Sequence, residues 1–71
     1  MTFGEKLLGL SAPPGDDAVS QSKKEYAAAI DRMNDFRASI GAGEASRLAS
    51  VAITEAQAAA MWAEKALTWK D

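Results

Sequence analysis

The sequence contains no cysteine and no histidine. Disulfides are therefore excluded, as are thiolate and imidazole metal ligands, and with them the commonest nucleophilic and acid-base catalysts. No glycine-rich phosphate loop of the Walker or dinucleotide-binding type occurs either. No apolar stretch reaches the ~18 residues of a membrane span, and Met1 to Leu10 has neither the apolar core nor the cleavage site of a signal peptide. The expectation is a protein that stays in the compartment where it is made and has no membrane partner. Excess basic charge is also missing, the formal net charge being -2 and the pI near 5.0. This balance argues against a general binder of DNA or RNA polymers, although a small pocket holding a few phosphates is compatible with it.

Size sharpens these absences. A chain of 71 residues is at most one domain and buries only about 60% of the surface its unfolded form exposes. Chains below ~70 to 80 residues usually need a staple, a metal or a partner chain. With no disulfide or metal motif to hand, oligomerisation is the default expectation.

What is present is alanine, with runs at Ala27-Ala28-Ala29 and Ala58-Ala59-Ala60. Alanine favours helix and permits close backbone approach. Thr2 is suited to cap a short amphipathic segment carrying Phe3, Leu7 and Leu8 on one face, which Gly9 would end. SAPPGDD, residues 11 to 17, reads as a loop, with Pro13-Pro14 forbidding regular helix and Asp16 or Asp17 available to cap the next helix. Val19, Tyr26, Ile30, Met33 and Ile40 then recur at heptad-like spacing. Gly41-Ala42-Gly43 breaks that helix with a loop of the length that joins antiparallel helices, and Glu44 suits the positive end of the next. From Ala45 to Trp69 there is no glycine or proline.

The predicted fold class is all-α: a short N-terminal helix plus a long antiparallel αα-hairpin in an oligomeric helical assembly. Its segments, within one domain spanning 1–71, are an arm and loop over 1–15, a helix over 16–40, a loop over 41–43 and a helix over 44–69. The last helix has one stripe of Leu48, Ala52, Ala59, Trp62, Ala66 and Trp69, while Val51, Ala58, Met61 and Leu67, with Ile53, Ala56, Ala60 and Ala63, cover much of the remainder. A helix apolar nearly all round is buried nearly all round, which one partner helix cannot achieve. Other protomers are expected to supply the rest.

Candidate chemistry is sparse, and an enzyme is not expected. Asp31 and Asp35 stand at helical spacing suitable for oxygen ligation of a divalent ion. Their alternation with Arg32 and Arg37 instead reads as a solvated face, so no metal site and no cofactor is expected. Glu55 lies between Ala52 and Ala59, where an unpaired carboxylate would be costly, and calls for Arg47 or Arg37 as a partner in the same or another chain. Glu64 has Lys65 beside it. Lys23 and Lys24 with Tyr26 open the second helix after the Pro-Gly loop, offering ammonium groups for phosphate and a ring for a base. The bland alternative places Lys24 on an exposed face and Tyr26 in the core stripe. Trp62 and Trp69, two turns apart among alanines, read first as core or interface, with Trp69 nearer solvent.

The segment RLASVAITEAQAAAMWAEKALTWKD, with Arg47, Thr54, Gln57, Met61-Trp62-Ala63, Lys65-Ala66 and Thr68-Trp69-Lys70, resembles the phage anti-CBASS cyclic-nucleotide sponge family. The likeness continues through KKEYAAAIDRMND and GEKLLGLSAPPGD and covers nearly the whole chain. The resemblance implies a small helical protein, hexameric and non-enzymatic, that sequesters the cyclic oligonucleotides made by bacterial CBASS immunity so that their effector is never switched on. Cyclic dinucleotides such as cyclic GMP-AMP would lie in pockets between protomers, and some relatives hold cyclic trinucleotides at separate sites. The expected location is the cytoplasm of the infected bacterium.

Carried onto this chain, the family's N-terminal loop corresponds to Ser11, Ala12, Pro13 and Pro14. Its phosphate-binding lysine corresponds to Lys23, with Lys24 as a substitute. Relatives often have an aromatic or an Asn in the loop where this chain has Ser11 and Ala12, so stacking would pass to Tyr26 or to Trp69 of a neighbour, beside Thr68. A second, trinucleotide-type site would fall at Arg47 and Thr54. The reading from a different class is a structural or adaptor hairpin that only oligomerises or binds another protein.

Overall fold

The computed structural model describes residues 1–10 and 15–70, and Ser11 to Pro14 therefore lie outside the described residues. Three helices follow in order, α1 (Phe3–Leu7), α2 (Ala18–Ile40) and α3 (Glu44–Leu67). The two long ones form an antiparallel hairpin, and the molecule measures 45 × 24 × 13 Å. No strand occurs among the described residues.

Local chemistry sets each boundary. Thr2 Oγ1 accepts the Glu5 N–H at 3.1 Å while Glu5 Oε1 accepts the Thr2 N–H at 2.8 Å. This reciprocal capping box satisfies donors that a five-residue helix would otherwise expose. Asp17 Oδ2 accepts the Ser20 N–H at 3.0 Å and Oδ1 the Ser20 hydroxyl at 2.8 Å. Because Asp17 takes the extended backbone of a cap, α2 starts at Ala18 and not at the expected residue 16. Gly41 and Gly43 have φ of +73° and +145°, a region that a side chain would strain, which is why the turn needs glycine at both places. α3 stops at Leu67, two residues earlier than expected. There Thr68 leaves the helical conformation, and its N–H and hydroxyl both donate to the Glu64 carbonyl, at 3.0 and 2.8 Å.

The hairpin interior is made of small residues. Ala27 and Ile30 of α2 meet Ala49, Ile53 and Ala60 of α3, and among the described residues Ile30 is the large side chain that is fully enclosed. Of the heptad-like stripe on α2, Val19, Tyr26 and Met33 are half-buried, whereas Ile40 is exposed, because the chain turns away at Gly41.

α1 lies antiparallel on α2. Gly4 is buried against the Ala27 carbonyl with no room for a Cβ, and its N–H donates to Asp31 Oδ1 at 2.7 Å. The Arg37 guanidinium sits 5.7 Å from the Phe3 ring centre. Asp31 is thus half-buried and docks the arm, which corrects its expected place on a solvated face; Asp35 is exposed.

Candidate functional site

Two contacts fix the register of the hairpin. Lys23 Nζ lies 2.9 Å from Glu64 Oε1, and Arg37 Nη1 donates to Ser50 Oγ at 3.0 Å. Fourteen residues forward along α2 correspond to fourteen back along α3, so the helices keep step. The start of α2 and the last turns of α3 therefore share the open end of the hairpin. Leu7 and Leu8 reach the same end because α1 runs antiparallel to α2.

A cleft of about 250 Å³ forms where the three helices meet. Its walls include Leu7 and Leu8 from α1, Lys23 from α2, and Gln57, Met61 and Glu64 from α3. The Lys23 side chain is only 25% exposed, so its stem is held while its charged end remains reachable. A lysine paired with a carboxylate, one amide and apolar side chains suit a ligand that carries polar or charged groups together with a flat or apolar body. The chain on either side of residues 11–14 is tied down. The Leu10 N–H donates to the Glu5 carbonyl at 3.0 Å, and Gln21 Nε2 donates to the Gly15 carbonyl at 2.6 Å.

The sequence candidates separate into two groups. Lys23, Thr68 and Trp69 lie at the open end, with Trp69 just past the end of α3 and 74% exposed. Tyr26 is half-buried one turn along α2 and does not line the cleft; Lys24 is exposed. Arg47 and Thr54 are exposed two turns apart in the turn-proximal half of α3. Thr54 is ten residues short of Glu64, or ~15 Å along the helix. Arg47 is held by Glu44, whose carboxylate accepts from its Nε and Nη2. That bond holds the Glu44 carboxyl below its ordinary value and raises the Arg47 guanidinium. The Thr54 hydroxyl donates to the Ser50 carbonyl at 3.2 Å.

Within the protomer Glu55 is exposed and does not pair with Arg47 or Arg37, since Arg47 holds Glu44 and Arg37 donates to Asn34 and Ser50; the alternative expectation, a partner in another chain, concerns the assembly. Glu64 pairs across the hairpin with Lys23 and not with Lys65, because adjacent residues on a helix point 100° apart. Trp62 is 63% exposed, so within the protomer it is not core. Sequence reasoning missed Leu7, Leu8, Gln57, Met61 and Glu64 as neighbours of Lys23. Counting outward from the Gly-Ala-Gly turn would have placed the three on α3.

Among the described residues no group of three acidic side chains could hold a metal ion, and no helix is long and apolar enough to cross a membrane. A helical hairpin with a half-buried lysine-glutamate pair in a cleft of mixed polar and apolar lining is a candidate frame for a small ligand. The family model of the Acb2/Tad1 hairpin domain matches residues 11–68. The chain belongs to that family, the anti-CBASS cyclic-nucleotide sponges. The matched span begins at the loop before α2, so α1 lies outside it. Comparison with curated proteins and with solved structures gave no match.

Proposed function

We propose that this protein is a phage anti-immunity factor that binds cyclic oligonucleotide second messengers and withholds them, undegraded, from a CBASS effector in the infected host's cytoplasm. The observation that carries the reading is Lys23, a residue of the matched span held half-buried in the wall of a partly apolar cleft. A cyclic dinucleotide such as cyclic GMP-AMP has two phosphates and two base faces. Two copies of the chain on a symmetric interface would present two Lys23 ammonium groups to it. Ser11, Ala12, Pro13 and Pro14, which correspond to the family's N-terminal loop, would contribute ligand contacts, and Tyr26, or Thr68 and Trp69 from a neighbouring copy, would take the bases. Arg47 and Thr54 are the residues for a second, trinucleotide site.

Assembly is part of the proposal. Leu48, Val51, Met61, Trp62 and Leu67 are all exposed on α3, with Leu48, Val51 and Trp62 sharing one side of it, more apolar bulk than a soluble monomer usually exposes. A homohexamer of single-domain hairpins covers such surface. The same exposed face favours the second reading, an adaptor that only assembles or binds a protein partner.

Calorimetric titration with cyclic di- and trinucleotides, followed by denaturation and analysis of the released nucleotide, separates the readings. Heat with recovery of intact ligand is the expected result. A linearised product would indicate an enzyme, and no heat with any cyclic di- or trinucleotide would leave the adaptor. Lys23→Ala should weaken dinucleotide binding by roughly 1–3 kcal/mol while the oligomer survives gel filtration. If the variant falls apart, Lys23 is structural and its assignment fails.

A further inference from the structure

The ammonium assigned above to a phosphate already has an anion on it. Glu64 Oε1 stands 2.9 Å from Lys23 Nζ, and these are the two charged side chains lining the cleft. Glu64 is the more accessible partner, 42% exposed against 25% for Lys23. Its backbone is pinned, since its carbonyl accepts both the N–H and the hydroxyl of Thr68. The carboxylate is therefore tethered at a fixed point while its side chain has room to rotate into water.

We infer that Glu64 is a built-in competitor for the phosphate subsite: it holds Lys23 while the cleft is empty and is displaced to solvent when a phosphodiester of the ligand takes its place. The inference rests on the preceding reading that Lys23 contacts phosphate. Carboxylate and phosphate oxygens make the same charge-assisted bond to an ammonium, and two anions sharing one cation repel each other. Displacement is inexpensive because a solvent-reachable ion pair has a small net worth. It is still a toll on every ligand, and a singly anionic molecule with one contact recovers it less readily than a ligand that also fills the apolar cleft. Glu64 thus filters ligands by raising the threshold for weak anions, a repulsive element that adds specificity. It also keeps Lys23 extended over the cleft before the ligand arrives, which limits the ordering cost of binding.

The test is a double-mutant cycle read by calorimetry with a cyclic dinucleotide, using wild type, Glu64→Gln, Lys23→Ala and the double variant. Glu64→Gln should tighten binding about three- to tenfold. In the Lys23→Ala background the same change should have almost no effect, because the carboxylate then has no cation to occupy. An equal gain in both backgrounds would make Glu64 a mere source of repulsion and overturn the competitor role. Weaker binding by Glu64→Gln would make it a ligand contact and overturn it too. Glu64→Asp, which shortens the reach to Lys23, should also tighten binding. Circular dichroism and gel filtration must show both variants folded and assembled; collapse of both would mark the pair as structural and refute the inference. No heat with wild type sinks the sponge reading itself, whereas heat without tightening sinks this inference alone.

Discussion

The two sides of α3 are built from opposite materials. Toward α2 it presents Ala49, Ile53 and Ala60 as buried contacts, with Ala56 and Ala63 half-buried beside them. Away from α2 it presents Val51 at 44% exposure and Trp62 at 63%, with Leu48 and Met61 exposed along the edges of the seam. Ordinary globular proteins put bulk inside and small or polar residues outside. Here the small residues are inside because they let two helix backbones approach closely, and the bulk is outside. Burial of alanine removes little apolar area, so at about 25 cal/mol per Å² the inner seam stabilises the hairpin weakly. The outer face holds the larger unspent hydrophobic free energy, consistent with the proposed assembly.

The sharpest break of this contrast is at Ile30, the most deeply enclosed large side chain on the inner seam. Ile30→Ala should cost about 2–5 kcal/mol, read as a lower urea midpoint by circular dichroism. If the hairpin tolerates the change without loss, the seam is not what holds α2 to α3. On the outer face, Trp62→Asp should leave helix content intact while sedimentation shifts to a smaller species. It replaces a broad apolar contact with a charge that an interface would have to desolvate. Sedimentation unchanged from wild type would remove this face from the interface.

The arm gives a third, smaller effect. A methyl at Gly4 would press into the Ala27 carbonyl, so Gly4→Ala should cost about 1–3 kcal/mol of docking. Alanine improves helix propensity, so any loss reports packing and not local helix strength. The expected signature is faster hydrogen exchange of α1 with α2 and α3 unchanged. Because Leu7 and Leu8 wall the Lys23 cleft, ligand affinity should fall with it. Unchanged exchange over α1 would show that the arm absorbs the methyl by shifting.

Much of the fold was legible because it rests on local rules. Thr2, Asp17 and the Gly41-Ala42-Gly43 break announce their helix ends through short-range hydrogen bonds and backbone preferences. The all-round apolar character of α3 was equally plain. Which side of α3 meets α2 was not, since a helix covered with alanine carries several stripes of similar period, and residue size points to the wrong one. Long-range polar contacts were also hidden. Asp31 finds the Gly4 N–H across 27 residues, and Glu64 finds Lys23 across 41, pairings decided by docking and register and not by neighbouring charges. Lys23 itself stood out through the family resemblance, whereas its surroundings required the register.

The smallest expected effect lies at the cap of α2, beside the open end. Asp17 is fully exposed, and its carboxyl is held below the ordinary 3.8, first by the Ser20 N–H and then by the Ser20 hydroxyl. A carboxyl with a lowered folded-state value binds its proton more readily in the unfolded chain. Its contribution to stability is therefore complete above about pH 5, falls as the pH drops through 3.8 toward the lowered folded value, and vanishes below that value. Asp17→Asn keeps a capping oxygen and removes the charge near the positive helix end. The melting temperatures of wild type and variant should differ by a small constant amount from pH 5 to 7, with wild type higher, and converge as the solution is acidified below pH 3. Glu44 also titrates with a lowered value, but it is present in both proteins and cancels in the difference. A gap that persists at low pH would place the role of Asp17 in shape and not in charge. A gap that never opens would mean that the charge of Asp17 adds nothing at the start of α2 beyond the capping oxygen that Asn retains.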